Sequence, residues 1–195
     1  MKRVAVLNVV GLTKGLIAKN LPRIRGIAES RQTTSFAPAF PAVTTTAQAT
    51  YLTGTSPSDH GIVGNGWYER EDAEVRFWKQ SNHLVRGEKL WEALRREKGD
   101  FRCAKMFWWY NMYSSAEWSV TPRPIYPADG RKVLDVYAHP PGLRDELVGE
   151  LGEFPFLSFW GPRAGLPSSQ WIADSARWVE EREQPDLNLV YLPHL

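Results

Sequence analysis

Short apolar runs alternate along the chain with segments of helical periodicity. Val4–Val10 is a nearly continuous apolar run closed by Gly11, the pattern of a strand buried on both faces of a parallel sheet. Leu16–Glu29 carries Leu16, Ile17, Leu21, Ile24, Ile27 and Ala28 at roughly helical spacing, with Pro22 marking a break or a fresh helix start. Ala47–Thr53 predicts a short helix stopped at Gly54, and a loop punctuated by glycine and proline runs on to Gly66. Glu74–Trp78 and Arg102–Phe107 predict strands. Between them, Gly87–Lys98 predicts an amphipathic helix with Leu90, Trp91 and Leu94 on one face. Tyr113–Pro141 reads as irregular and rich in proline, too long for a simple connector; an insert or cap is expected at about 107–141. Leu143–Leu151 and Ser168–Glu183 predict two more helices. The second is capped by Ser168 or Ser169, with Trp171, Ile172, Ser175, Trp178 and Val179 on one stripe. Leu187–Leu192 predicts a last strand.

Strands alternating with helices predict an α/β fold with a mainly parallel sheet flanked by helices. The last strand is followed only by Pro193, His194 and Leu195. A core strand with no covering element after it reads as the N-terminal portion of a domain, 1–195, incomplete at its C-terminus.

Composition narrows the function classes. The 195 residues hold 24 Lys+Arg against 22 Asp+Glu, a formal charge of +2, so there is no electrostatic case for a nucleic-acid polymer or an anionic membrane. No apolar run approaches the roughly 20 residues that span a bilayer. The single cysteine, Cys103, excludes an internal disulfide framework and predicts a reducing, cytoplasmic setting.

Candidate chemistry concentrates between Pro38 and Gly66. A hydroxyl at a helix N-terminus sits among free backbone N–H groups and the positive end of the dipole, a setting that holds phosphate. The dipole contributes only about 0.3–1 kcal/mol at an exposed site. A catalytic threonine there needs a metal ion to ionise it. Spacing alone is equally served by a loop with an ordinary Thr cap.

The segment Phe40-Pro41-x-x-Thr44, the short helix ending Thr53-Gly54, and Pro57-x-x-His60-Gly61-Ile62-x-x-Asn65 together resemble the type I phosphodiesterase/nucleotide pyrophosphatase family of the alkaline phosphatase superfamily. The resemblance covers Val4 to about Asn65 in detail and the remainder in strand order. It implies an alkaline-phosphatase-like hydrolase with two divalent metal ions, usually zinc, whose remaining ligands are expected beyond residue 195. It also implies metal-dependent cleavage of phosphodiester or nucleotide pyrophosphate bonds in a small-molecule substrate, through a phospho-threonine intermediate. By the same resemblance Thr44 is the nucleophile and a metal ligand, ahead of its neighbours Thr45 and Thr46. Asn65 donates its amide to a phosphoryl oxygen; as a residue of Gly64-Asn65-Gly66 it also suits a turn. Where the family carries a metal-binding Asp-Gly, this chain reads Val10-Gly11. Asn8, on the same face of the strand, is a neutral substitute ligand or an inward polar residue bonded near the sheet end.

Other residues carry two readings each. His60, beside Asp59, is a metal ligand or a ring bonded to its own loop. Phe107–Tyr113 is a stacking platform or core packing. Arg123 and Arg131 reach an anionic substrate group or are solvated. Gly61-x-x-Gly64-x-Gly66 lacks the Lys-Ser/Thr of a phosphate loop. The rival functions are a non-catalytic or truncated binding module of the same fold, and a related phosphonate or phosphomonoester hydrolase.

Overall fold

Chain order and spatial order diverge at the last strand. In the computed structural model, which describes residues 2–195, five strands form the main sheet: β1 (Val4–Val9), β4 (Cys103–Met106), β5 (Trp118–Pro122), β6 (Val136–His139) and β7 (Leu187–Leu192). Their spatial order is β1-β7-β4-β5-β6, so β7 returns to fill the slot between β1 and β4. The pairs β1–β7, β7–β4 and β4–β5 are parallel; only the edge strand β6 runs antiparallel to its neighbour. A separate hairpin pairs β2 (Gly66–Glu69) with β3 (Glu74–Phe77). Gly66 is required there, since a Cβ would stand 2.4 Å from Cδ1 of its cross-strand partner Phe77.

Helices cover both faces of the central strands, giving the mixed α/β layering that the alternation predicts. On one face α6 (Gly142–Leu151) and α7 (Leu166–Arg182) pack on Ala104, Met106, Val120 and Val190 through Phe107, Phe154, Phe159 and Trp171. On the other, α3 (Thr44–Thr53) and α5 (Leu90–Lys98) bring Leu52 and Trp91 against Cys103, Trp108, Leu187 and Leu189. Pro22 breaks the early helical pattern into α1 (Lys14–Asn20) and α2 (Pro22–Ser30), where its missing N–H is harmless at the first position. The short α4 (Pro57–His60) is closed by a capping box between Ser56 and Asp59.

Three expectations are corrected. β1 is parallel but not buried: it is the sheet edge, Val4 and Leu7 are 51% and 60% exposed, and neither α1 nor α2 contributes a buried residue. An apolar run makes a strand locally, whereas its burial depends on elements packed over it. The stretch 107–141 is not irregular throughout, because it contains both β5 and β6. Its irregular part is the excursion between them, held by the Ile125–Val133 bridge. Ser168 and Ser169 lie inside α7 rather than capping it. Pro167 opens that helix, and the Ser168 hydroxyl turns back to the carbonyls of Ser158 and Gly165.

One core residue defies its side-chain type. Lys105, on β4, is fully buried; its Nζ donates to the Tyr110 carbonyl at 3.1 Å and lies 4.5 Å from the centroid of Trp91. Burial lowers its ammonium from 10.5 to about 7. Between those values the unfolded chain binds a proton that the folded chain does not, so stability rises with pH; below 7 both states are protonated and the contribution is flat. Lys105→Met is expected to raise the urea midpoint at pH 6–7 and to flatten the rise from pH 7 to 9. An unchanged slope would assign the dependence to another group.

Candidate active site

The carboxyl ends of β1 and β7 lie beneath the N-terminus of α3, the position where open parallel sheets gather functional groups. Asn8 and Tyr191 are paired neighbours on those strands. Gln48, one helical turn after Thr44, reaches down to them: its Nε2 donates to Asn8 Oδ1 at 3.0 Å, and its Oε1 accepts from the Trp109 backbone N–H at 2.8 Å. α3 is thereby tied to β1 and to the turn leaving β4.

The first turn of α3 has no local side-chain cap, because Val43 precedes it. Asn65 supplies one from twenty residues away. Its Oδ1 accepts from the Thr45 N–H at 3.1 Å and the Thr45 hydroxyl at 3.0 Å, and that hydroxyl also contacts the Gly64 carbonyl at 2.8 Å. These bonds fix the amide's orientation. Its Nδ2 has no acceptor among the described residues, and neither do the N–H groups of Thr44 and Thr46.

The three consecutive threonines have different surroundings. Thr45 and Thr46 are 1% and 0% exposed; the first is hydrogen-bonded, and the second has a buried hydroxyl without a partner. Thr44 is half-buried, its side chain set against the phenol of Tyr191. Burial raises the Tyr191 phenol above its ordinary value, partly offset by Thr44 and by the neighbouring Trp109. It therefore stays protonated near neutral pH, as a donor. Tyr110, against Thr45, is likewise pushed by burial to about 12. The groups gathered at the tip of α3 are neutral amides and hydroxyls. They suit binding an anion by hydrogen bonds without supplying charge.

His60 is held inside the fold. Its Nε2 contacts the Thr50 hydroxyl at 3.0 Å, its Nδ1 accepts from the Ile62 N–H at 3.1 Å, and burial lowers its pKa. Phe107–Tyr110 are all at most 2% exposed and serve as packing, whereas Tyr113, at the end of the same run, is 62% exposed. Gly61, Gly64 and Gly66 form no phosphate loop: Gly61 closes α4, and Gly66 enters β2. Gln48, Trp109 and Tyr191 escape the sequence reading. The one available signal is that Gln48 stands four residues after Thr44, on the same helical face.

Among the described residues, the donors present do not by themselves complete the metal pair implied by resemblance. Val10 offers no donor, and one lone pair of Asn8 Oδ1 already accepts from Gln48. No group of three or more His, Cys, Asp or Glu side chains converges among the described residues. The nearest imidazoles by sequence, His60 and His194, are engaged with Thr50 and with the Phe159 carbonyl.

The same α/β arrangement occurs in solved structures. A phosphonoacetate hydrolase from Sinorhizobium meliloti 1021, crystallised with phosphonoacetate, superposes with a TM-score of 0.67 at 14% identity, over 97% of this chain and 46% of that one. The structure with phosphonoformate gives 0.62 at 13% identity, with the same coverages. This chain thus spans about half the length of these neighbours, and the likeness defines an alkaline-phosphatase-like fold. The family model for type I phosphodiesterase / nucleotide pyrophosphatase matches residues 4–195, and the chain belongs to that family. No curated protein sequence matches it. No helix among the described residues is long and apolar enough to cross a membrane.

Two Asn65 variants separate its capping oxygen from its amide. Asn65→Ala is expected to destabilise the protein by about 1 kcal/mol, the usual cost of a lost helix cap, read by urea unfolding. Asn65→Asp keeps the acceptor and is expected to hold stability near wild type while weakening inorganic phosphate binding, read by calorimetry. Equal phosphate affinity in the Asp variant would remove the amide from anion recognition.

Proposed function

We propose that this chain provides the phosphoryl-recognition side of a hydrolase acting on small-molecule phosphodiesters or nucleotide pyrophosphates, with Thr44 as its nucleophile. One observation carries the reading: of three adjacent threonines at the tip of α3, Thr44 alone keeps solvent access, beside a protonated Tyr191 and near the capping amide of Asn65. The incoming phosphoryl oxygens accept from the Asn65 Nδ2 and from the free N–H groups of the first turn. Thr44 Oγ1 then forms a bond to phosphorus as the bond to the leaving oxygen breaks, and the hydroxyl proton passes to that oxygen, so that an alcohol or nucleotide departs and a phospho-threonine remains for hydrolysis by water.

Tyr191 is held protonated, and among the described residues no carboxylate or imidazole is hydrogen-bonded to Thr44, so these residues supply recognition and the attacking oxygen but no base. By resemblance that task falls to zinc, which Thr44 would help to hold, with Asn8 as a neutral substitute ligand where the family's Asp is replaced by Val10. The near-balanced charge gives no electrostatic support for a nucleic-acid polymer as substrate. The single cysteine, Cys103, supports a reducing, cytoplasmic setting.

A non-catalytic binding module is the second reading, favoured by Val10 and the absence of a converging ligand cluster among the described residues. Phosphonate hydrolysis is a third, favoured by the ligands of the two S. meliloti structures. Hydrolysis of bis-(p-nitrophenyl) phosphate, p-nitrophenyl phosphate and phosphonoacetate, with zinc or manganese added, separates them. The diester is expected to turn over fastest, and Thr44→Ala to lower its rate by on the order of 10³-fold or more. Unaltered turnover in that variant removes Thr44 as nucleophile. Phosphate binding without turnover of any of the three substrates establishes the binding module.

A further inference from the structure

His60 spends both ring nitrogens on the segment that leads to Asn65. The residue is 0% exposed and ends α4. Its Nδ1 accepts from the Ile62 N–H at 3.1 Å, so the proton of the neutral ring sits on Nε2, which donates to the Thr50 hydroxyl at 3.0 Å. One imidazole thus ties α3, the helix that presents Thr44, to the loop that carries Asn65. The Ile62 N–H has no backbone acceptor among the described residues, so the ring is its partner. Further along the loop the Ile62 side chain is buried with Ala49 of α3, and the Gly64 carbonyl and Asn65 Oδ1 meet Thr45.

A second proton would undo this arrangement. An imidazolium has a donor on each nitrogen, and a protonated Nδ1 would face the Ile62 N–H donor to donor. Few charges surround the ring. Asp59 favours the cation, although its carboxylate is already engaged by the Ser56 hydroxyl and N–H at 2.6 and 3.3 Å. Arg86 disfavours it: its backbone N–H donates to the His60 carbonyl at 3.0 Å, and its side chain packs over Gly61. α3 contributes no charged residue, only the Thr50 hydroxyl. Burial outweighs Asp59 and holds the ring below its ordinary pKa of 6.5, so the fold keeps the neutral form near pH 7.

We propose that His60 is a positioning residue for anion recognition, its neutral ring clamped between Thr50 and Ile62 so that the Asn65 amide is held against the first turn of α3. The inference rests on the reading of that turn as a phosphoryl site and adds a pH limit to it. Protonating the ring frees the Ile62 N–H, loosens the loop and lowers the fraction of molecules in the binding-competent arrangement.

Nuclear magnetic resonance of the intact, nitrogen-15-labelled chain, followed from about pH 8 to about pH 4.5, tests the clamp. The ring is expected to carry its proton on Nε2 at the upper end and to titrate below 6.5, beneath the range of Lys105 at about 7. The Ile62 and Thr45 backbone amides and the Asn65 side-chain amide are expected to shift with the same midpoint. Calorimetry with inorganic phosphate then compares wild type with His60→Asn, whose Oδ1 replaces Nδ1 as an acceptor that does not titrate. The ratio of wild-type to variant affinity cancels the titration of phosphate itself. It is expected to be near one at pH 7.5 and to fall to about one third or lower at pH 5. Circular dichroism checks that the variant is folded; if it is not, the wild-type resonance titration decides alone. A proton on Nδ1, a His60 titration that leaves Thr45 and Asn65 unmoved, or a ratio constant across pH would each overturn the proposal. Coupled shifts with phosphate bound by neither protein would uphold the positioning of Asn65 and reject the phosphoryl reading instead.

Discussion

A buried glutamine sets the geometry on which the site depends. Gln48 is 1% exposed and has both ends of its amide engaged, one with β1 at Asn8 and one with the turn after β4 at Trp109. An apolar residue there would leave the Trp109 N–H and the Asn8 carbonyl oxygen buried or half-buried without these partners, at about 1–3 kcal/mol for each group left unsatisfied. The bridge also fixes how α3 is rolled about its axis. Thr44, one turn earlier on the same face, is carried to Tyr191, and Thr45 is turned toward Asn65. A helix positioned only by apolar contacts would not be held so specifically, because such contacts have no direction.

Much of the fold was legible because its signals are local. The Pro22 break, the Gly54 stop of α3 with its φ of 66°, and the stripe of α7 all follow from neighbouring residues. What failed was non-local. α3 begins at Thr44, three residues before the periodic signal, because β-branched threonines are poor helix formers and their cap arrives from Asn65. The burial of β1 was misjudged since Val4–Val10 looks the same whether or not a helix lies over it. Lys105 was invisible, as nothing around Cys103–Met106 announces an amine that will stack on Trp91.

The site was legible in part for a different reason. Thr44 and Asn65 fall in a family pattern, and the structure brings their segments together through Thr45. Tyr191 and Trp109 belong to no such pattern; a tyrosine ending a strand and an indole in an aromatic run are what packing alone would produce. Their proximity to Thr44 is a consequence of β7 inserting between β1 and β4, which is a property of topology rather than of spacing.

Charge and cover are distributed unevenly in the same direction. The floor beneath α3 offers amides, hydroxyls and backbone N–H groups, all neutral, so it orients a phosphoryl group without compensating its charge. The donors that resemblance would place there are missing at Val10 and diverted at Asn8, both at the end of β1. β1 is also one of the two edge strands of the sheet, with exposed apolar side chains at Val4, Val6 and Leu7. By contrast β7 and β4, one and two strands further in, are covered on both faces and carry the protonated Tyr191 and the buried Lys105. The uncompensated side of the site and the uncovered side of the sheet are therefore one and the same edge.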